Sequence, residues 1–119
     1  MTWVNLDDQM PEHPKIISLS DGAYRLHTSA ICYCNRHLTD GIIHAEAVPG
    51  LMPRFRRTYL DELLASRNGT SPALWLLHPD GYEIRDYLQW NKSRADIEQR
   101  RKARSAGGRK GADRRWHDP

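Results

Sequence analysis

The stretch HPDGYEIRDYLQWN, His78–Asn91, decides how this 119-residue chain folds. Pro79–Asp80–Gly81 is turn chemistry, because proline presets φ and glycine takes positive φ without a side-chain penalty. Before it, ALWLLHP reads as one strand. After it, GYEIRDYLQW reads as a second, with Tyr82, Ile84 and Asp86 alternating against Glu83, Arg85 and Tyr87. A two-stranded hairpin is marginal alone in water, so other elements must supply the surface it packs on.

Those elements lie upstream. WVNLDD alternates Trp3, Val4 and Leu6 with polar residues, as a short strand or an extended lead-in. EHPKIISLS is a short helix with Pro14 at its first position, where a missing N–H costs nothing. The strongest helix runs over roughly 20–38. Ser20 is placed to cap it, and Leu19, Ala23, Leu26, Ala30, Cys34 and His37/Leu38 recur at three- and four-residue steps. Thr39–Asp40–Gly41 stops it, with Gly41 free to take positive φ. Ile42–Ile43 then makes a very short strand, and HAEAV a short helix that ends before Pro49. A further helix has Tyr59/Leu60, Leu63 and Leu64 at helical spacing, Thr58 as its cap, Asp61 three residues on, and Asn68–Gly69 at its end.

The order is therefore helix, short strand, helix, helix, strand, turn, strand. That is the α+β order of a winged helix-turn-helix, three helices on a small antiparallel sheet, with the hairpin turn as the wing. The hairpin covers a helical core too small to be stable alone, and Trp75 and Ile84 are expected to face that core.

Charge is unevenly spread. Residues 1–91 carry 8 Lys/Arg against 11 Asp/Glu, a net −3, whereas residues 92–119 carry 10 against 4, a net +6. The division expected is a winged-helix domain over 1–92 and a basic helical and flexible arm over 93–119. A basic arm on a near-neutral body points to an acidic polymer, of which nucleic acid is the commonest. No apolar run approaches the roughly 20 residues a transmembrane helix needs, so no membrane partner is expected. The acidic start MTWVNLDDQM lacks signal-peptide order, which places the chain in the cytoplasm. Two cysteines, Cys32 and Cys34, are too few and too close for a disulfide framework.

HPKIISLSDGAYRLHTSAICYCNRHLTDGII and LWLLHPDGYEIRDYLQWNKSRADIEQRRKARSAGGRKG together resemble the winged-helix N-terminal domain of replication-initiation, replisome-organiser-like proteins of phages and prophages, common in phages of actinobacteria. The resemblance spans Trp3 to Trp116 apart from the irregular middle around 45–57. Its most specific markers are LSDGAYRL, CNRHLTDG and DGYEIRDYLQWN. It implies a DNA-binding protein of phage type, working in replication initiation inside a bacterial host cell, or as a phage transcriptional regulator. Many members carry a further C-terminal region, whereas this sequence stops at Pro119.

In a winged helix the second helix of the helix-turn-helix enters the major groove. Here it begins near Thr58, preceded by Arg54, Arg56 and Arg57, and Arg67 lies just beyond it. Arginines at a helix start suit phosphate, which the free N–H groups also favour. Asp61 and Glu62 oppose that reading unless turned aside. The wing tip offers His78 beside Asp80, a weaker contact.

The arm is the better electrostatic argument. After Lys92, Ser93 and Asp96 form a Ser-x-x-Asp capping box that opens a helix from Arg94. Asp96–Arg100 and Glu98–Lys102 are acid-before-base pairs at i, i+4, each worth about 0.2–0.5 kcal/mol. Arg100, Arg101, Lys102 and Arg104 follow, then Arg109 and Lys110 among glycines, then Arg114 and Arg115 beside Trp116, an aromatic able to stack on a base. Beyond Ile97 and Ala103 this helix has no apolar stripe.

CYCNRH with His44 invites a zinc site, but Cys32 and Cys34 project roughly 200° apart on a helix and cannot share one ion. His13, His27, His37, His44 and His78 are scattered, with no nucleophile–base pair or glycine-rich phosphate loop. No metal, cofactor or enzymatic activity is expected. The partners expected are duplex DNA, replication proteins and a second copy of the chain. The rival reading is a winged-helix protein–protein interaction module.

Overall fold

The computed structural model describes residues 3–66, 72–91 and 93–104. In chain order they form a 3-10 turn at Met10–Glu12, α1 (Pro14–Ile17), α2 (Asp21–His37), β1 (Ile42–His44), a 3-10 segment at Ala45–Leu51, α3 (Arg57–Leu64), β2 (Trp75–His78), β3 (Gly81–Ile84) and α4 (Tyr87–Trp90). A last helix, α5, covers 94–104. The architecture is α+β: helices against a three-stranded antiparallel sheet in the order β1-β3-β2.

α2 starts where its capping chemistry places it. Ser20 Oγ accepts the Ala23 N–H at 3.2 Å. The third helical position holds Ala23, so no local side chain can return a hydrogen bond to the Ser20 N–H, as a capping box requires. Glu62 of α3 does so instead, its carboxylate accepting from the Ser20 backbone at 2.8 Å and from the Ser20 hydroxyl at 2.5 Å. α2 ends with Leu38 in the left-handed region at φ 56°, followed by Asp40 at 55° and Gly41 at 90°. Gly41 carries the expected positive φ, and its close neighbour reinforces the choice: a Cβ there would sit 2.8 Å from the Cβ of Tyr87.

Four local expectations change. The segment after β1 runs through Pro49 as a 3-10 helix, with Val48 buried beneath it; proline's fixed φ of about −65° fits a 3-10 turn, at the loss of one donor. α3 begins at Arg57 with Arg56 as its cap residue, and Thr58 lies inside the first turn without capping it. α3 ends at Leu64, and Asn68–Gly69 lie outside the described residues. The second hairpin strand stops at Ile84 and gives way to α4, where a strand through Trp90 was expected. Strict alternation would have driven Asp86 into the core; the switch to helix leaves Asp86 exposed and buries Tyr87 at 4% exposure.

The core lies between the sheet and α2–α3. β3 pairs Tyr82 with Ile43 of β1 and Ile84 with Trp75 of β2, so these four share the core face. Leu26, Ala30, Cys34, Leu60 and Leu63 complete it from the helices. Trp75 and Ile84 are buried, as their strand positions require. A buried indole N–H needs an acceptor, and His27 Nδ1 provides one at 3.0 Å. Burial holds His27 neutral and lowers its pKa to about 4. Burial also pushes the Cys34 thiol up to about 11, while Cys32 points to solvent. The two sulfurs thus occupy opposite sides of α2.

Candidate nucleic-acid interface

The hairpin turn is built as structure. Asp80 N–H donates to His78 Nδ1 at 3.1 Å, and the Asp80 carbonyl accepts from Ala45 N–H at 3.3 Å, tying the turn back to the segment after β1. At the start of α3 the two acids are turned aside. Asp61 pairs with Arg57 at 3.2 Å, and Glu62 is committed to Ser20. Arg54, Arg56 and Thr58 are exposed there, with Arg54 in a left-handed turn at φ 56°.

α5 is where basic side chains converge. Ser93 Oγ accepts the Asp96 N–H at 3.1 Å, which caps the helix. The Arg94 N–H, an orphan donor of the first turn, goes to Asp40 Oδ1 at 2.6 Å. A carboxylate at a helix N-terminus also opposes the positive end of its dipole. With no apolar stripe, α5 is therefore joined to the α2–β1 turn by a polar contact. Among the described residues the close ion pair along it is Arg94–Glu98 at 2.9 Å, base before acid; the expected partner Lys102 attracts Glu98 at longer range, and the expected Asp96–Arg100 pair does not close. The Arg94–Glu98 hydrogen bond raises the Arg94 pKa and lowers that of Glu98.

That pairing sorts the charges by face. Arg94, Glu98 and Lys102 follow each other at i, i+4. Ile97, Arg100, Arg101 and Arg104 follow at three- and four-residue steps on another face. The second set lines a cleft of about 280 Å³ that it shares with Asn35, Arg36 and Leu38 from the end of α2. Trp3, Asn5 and Asn91 close the cleft. The N-terminal strip is held there by Asn91, which is buried at 8% exposure and accepts the Asn5 N–H at 2.9 Å. Val4 packs inward on the core and Trp3 is 80% exposed.

Four arginines, three asparagines and one tryptophan thus line a single concavity, together with Leu38 and Ile97. Among the described residues no carboxylate lines it. A second cavity of about 260 Å³ has Lys15 and Arg85 offset by Asp7 and Asp86 and carries no such bias. Planar guanidinium groups bind phosphate oxygens in bidentate fashion, and all four arginines of the cleft are exposed and so accessible to an anion.

Of the residues singled out in the sequence, Arg100, Arg101 and Arg104 are brought together in the cleft. Lys102 and Arg94 lie on the other face, and Arg54, Arg56, Arg57 and Thr58 belong to a separate element that does not line it. Arg67, Lys92, Arg109, Lys110, Arg114, Arg115 and Trp116 lie outside the described residues. Sequence reasoning missed Arg36 and Trp3. The three-and-four spacing from Ile97 to Arg104 was the available signal for one face; nothing local marks Arg36 or Trp3 as its neighbours.

Among the described residues, no group of three or more His, Cys, Asp or Glu side chains is arranged to hold a metal ion, and no helix is long and apolar enough to cross a membrane. No protein-family model, curated protein or solved structure matches this chain.

Proposed function

We propose that this is a winged-helix DNA-binding protein of phage type that acts in replication initiation, without enzymatic activity, in the cytoplasm of a bacterial host. The fold reading is supported by the element order and by the β1-β3-β2 sheet with its hairpin. The replication role rests on the sequence resemblance, and a transcriptional role on the same family is its near neighbour. The observation that carries DNA binding is the carboxylate-free cleft where Arg36 of α2 meets Arg100, Arg101 and Arg104 of α5. Such contacts go to phosphates, fixing affinity and register rather than sequence.

The test is fluorescence anisotropy of the full chain on duplex DNA across a salt series. Log K should fall with log salt, and the combined change of Arg100, Arg101 and Arg104 to Ala should flatten that slope by about 0.9 for each phosphate that is no longer neutralised. An unchanged slope would remove the cleft from the interface. The protein-interaction reading draws on edge strand β2, where Leu77 is 79% exposed. An apolar interface of that kind responds little to salt, so the same series separates the two.

A further inference from the structure

We infer that the arginine cleft holds an unpaired nucleotide of a single strand, with its base stacked on Trp3 and its phosphates on the arginines. This rests on the nucleic-acid reading above and specifies the substrate of that site. The first observation is Trp3 itself. The indole is left 80% exposed at the rim of the arginine cleft, on a strip whose next two residues are anchored: Val4 packs inward and Asn5 is tethered to Asn91. The aromatic face is presented by an anchored strip.

Paired bases stack on one another inside a duplex and offer an aromatic side chain no face. An unpaired base does, and every base has one, so stacking tolerates any sequence. Arginines that track the backbone and an aromatic that takes the base are the two parts of single-strand binding sites. The second observation is size. A cleft of about 280 Å³ is at the small end of ligand sites, suited to one nucleotide unit rather than to the width of a double helix. The third is chemistry. The side-chain amides of Asn5 and Asn35 add donors and acceptors that a base edge can use, and no lining carboxylate among the described residues repels the phosphate.

The experiment measures affinities of the full chain for an oligodeoxythymidine of about 12 nucleotides, within the span of known single-strand sites, for the matching uridine strand, and for a long linear duplex in which ends are few. Wild type is compared with Trp3→Leu, Trp3→Phe and Arg36→Gln. Trp3 is exposed, so its replacement leaves the core intact, which near-UV circular dichroism checks. The expected result is a loss of about 5- to 150-fold on either single strand with Trp3→Leu, the range that stacking of one base spans. Duplex affinity should stay unchanged and Trp3→Phe should restore most of the loss. The ratio of deoxythymidine to uridine binding then says which sugar the cleft accepts. If Arg36→Gln weakens binding while Trp3→Leu leaves single-strand affinity intact, the inference falls and the DNA-binding reading stands. If wild type binds no nucleic acid at low salt, both fall together.

Discussion

Acidification from pH 7 to pH 5 should destabilise this protein by about 2 kcal/mol, mostly through one side chain. His27 is buried at 6% exposure, and its Nδ1 accepts the Trp75 indole N–H at 3.0 Å. Protonating Nδ1 would set two donors against each other in a buried site. Desolvation by burial lowers the His27 pKa from 6.5 to about 4. Above pH 6.5 both folded and unfolded chains carry a neutral His27, and the stability it contributes is fully present. Between 6.5 and about 4 only the unfolded chain takes the proton, so stability is lost as pH falls, by at most 1.36 kcal/mol per pH unit. Integration gives about 2 kcal/mol by pH 5 and about 3 kcal/mol by pH 4, a large part of a small domain's stability. Urea unfolding followed by far-UV circular dichroism at pH 7, 6 and 5 reads the effect. His27→Gln keeps an acceptor for the indole and cannot titrate, so its stability should be nearly flat across this range. A wild type whose stability does not change from pH 7 to 5, or a His27→Gln variant that loses as much, would refute the reasoning.

Two further outcomes concern hydrogen bonds between distant parts of the chain. Glu62→Ala removes both hydrogen bonds to Ser20 and leaves that backbone N–H without its carboxylate; the expected loss is about 1–2 kcal/mol in urea unfolding, with faster hydrogen exchange at the first turn of α2. Asp40→Ala removes the acceptor of the Arg94 N–H. Hydrogen exchange over 94–104 should then accelerate, while exchange in α2 and the sheet stays as it was, because a helix this short is marginal without its anchor.

Much of the fold is legible residue by residue because it is set by local rules. Ser20 with the apolar steps from Ala23 to Cys34 determines α2 to within a residue, and the proline–aspartate–glycine turn determines the hairpin. Pro14 begins its helix and Ser93 caps α5, as the sequence alone requires. Thr58 has the same capping chemistry as Ser20 and is not used: α3 starts one residue before it, with Arg56 at the cap position making no side-chain cap hydrogen bond. GYEIRDYLQW alternates well enough to be a strand throughout. It stops at Ile84 because its pairing partners are only three and four residues long and because Tyr87, not Asp86, fits against Gly41.

The site divides in the same way. The run of basic residues from Arg100 to Arg104 and its helical spacing are properties of the sequence, since both depend only on neighbours within two turns. Which of those charges act together is decided elsewhere. Asp40, 54 residues before Arg94, anchors the helix beside the end of α2, and Asn91, 86 residues after Asn5, sets Trp3 at the rim. Hydrogen bonds between residues so far apart leave no periodic trace in a sequence. By itself the sequence determined a basic helix and a hairpin-closed core; only the tertiary structure placed Arg36 and Trp3 against that helix, because proximity across a fold is created by packing rather than by spacing along the chain.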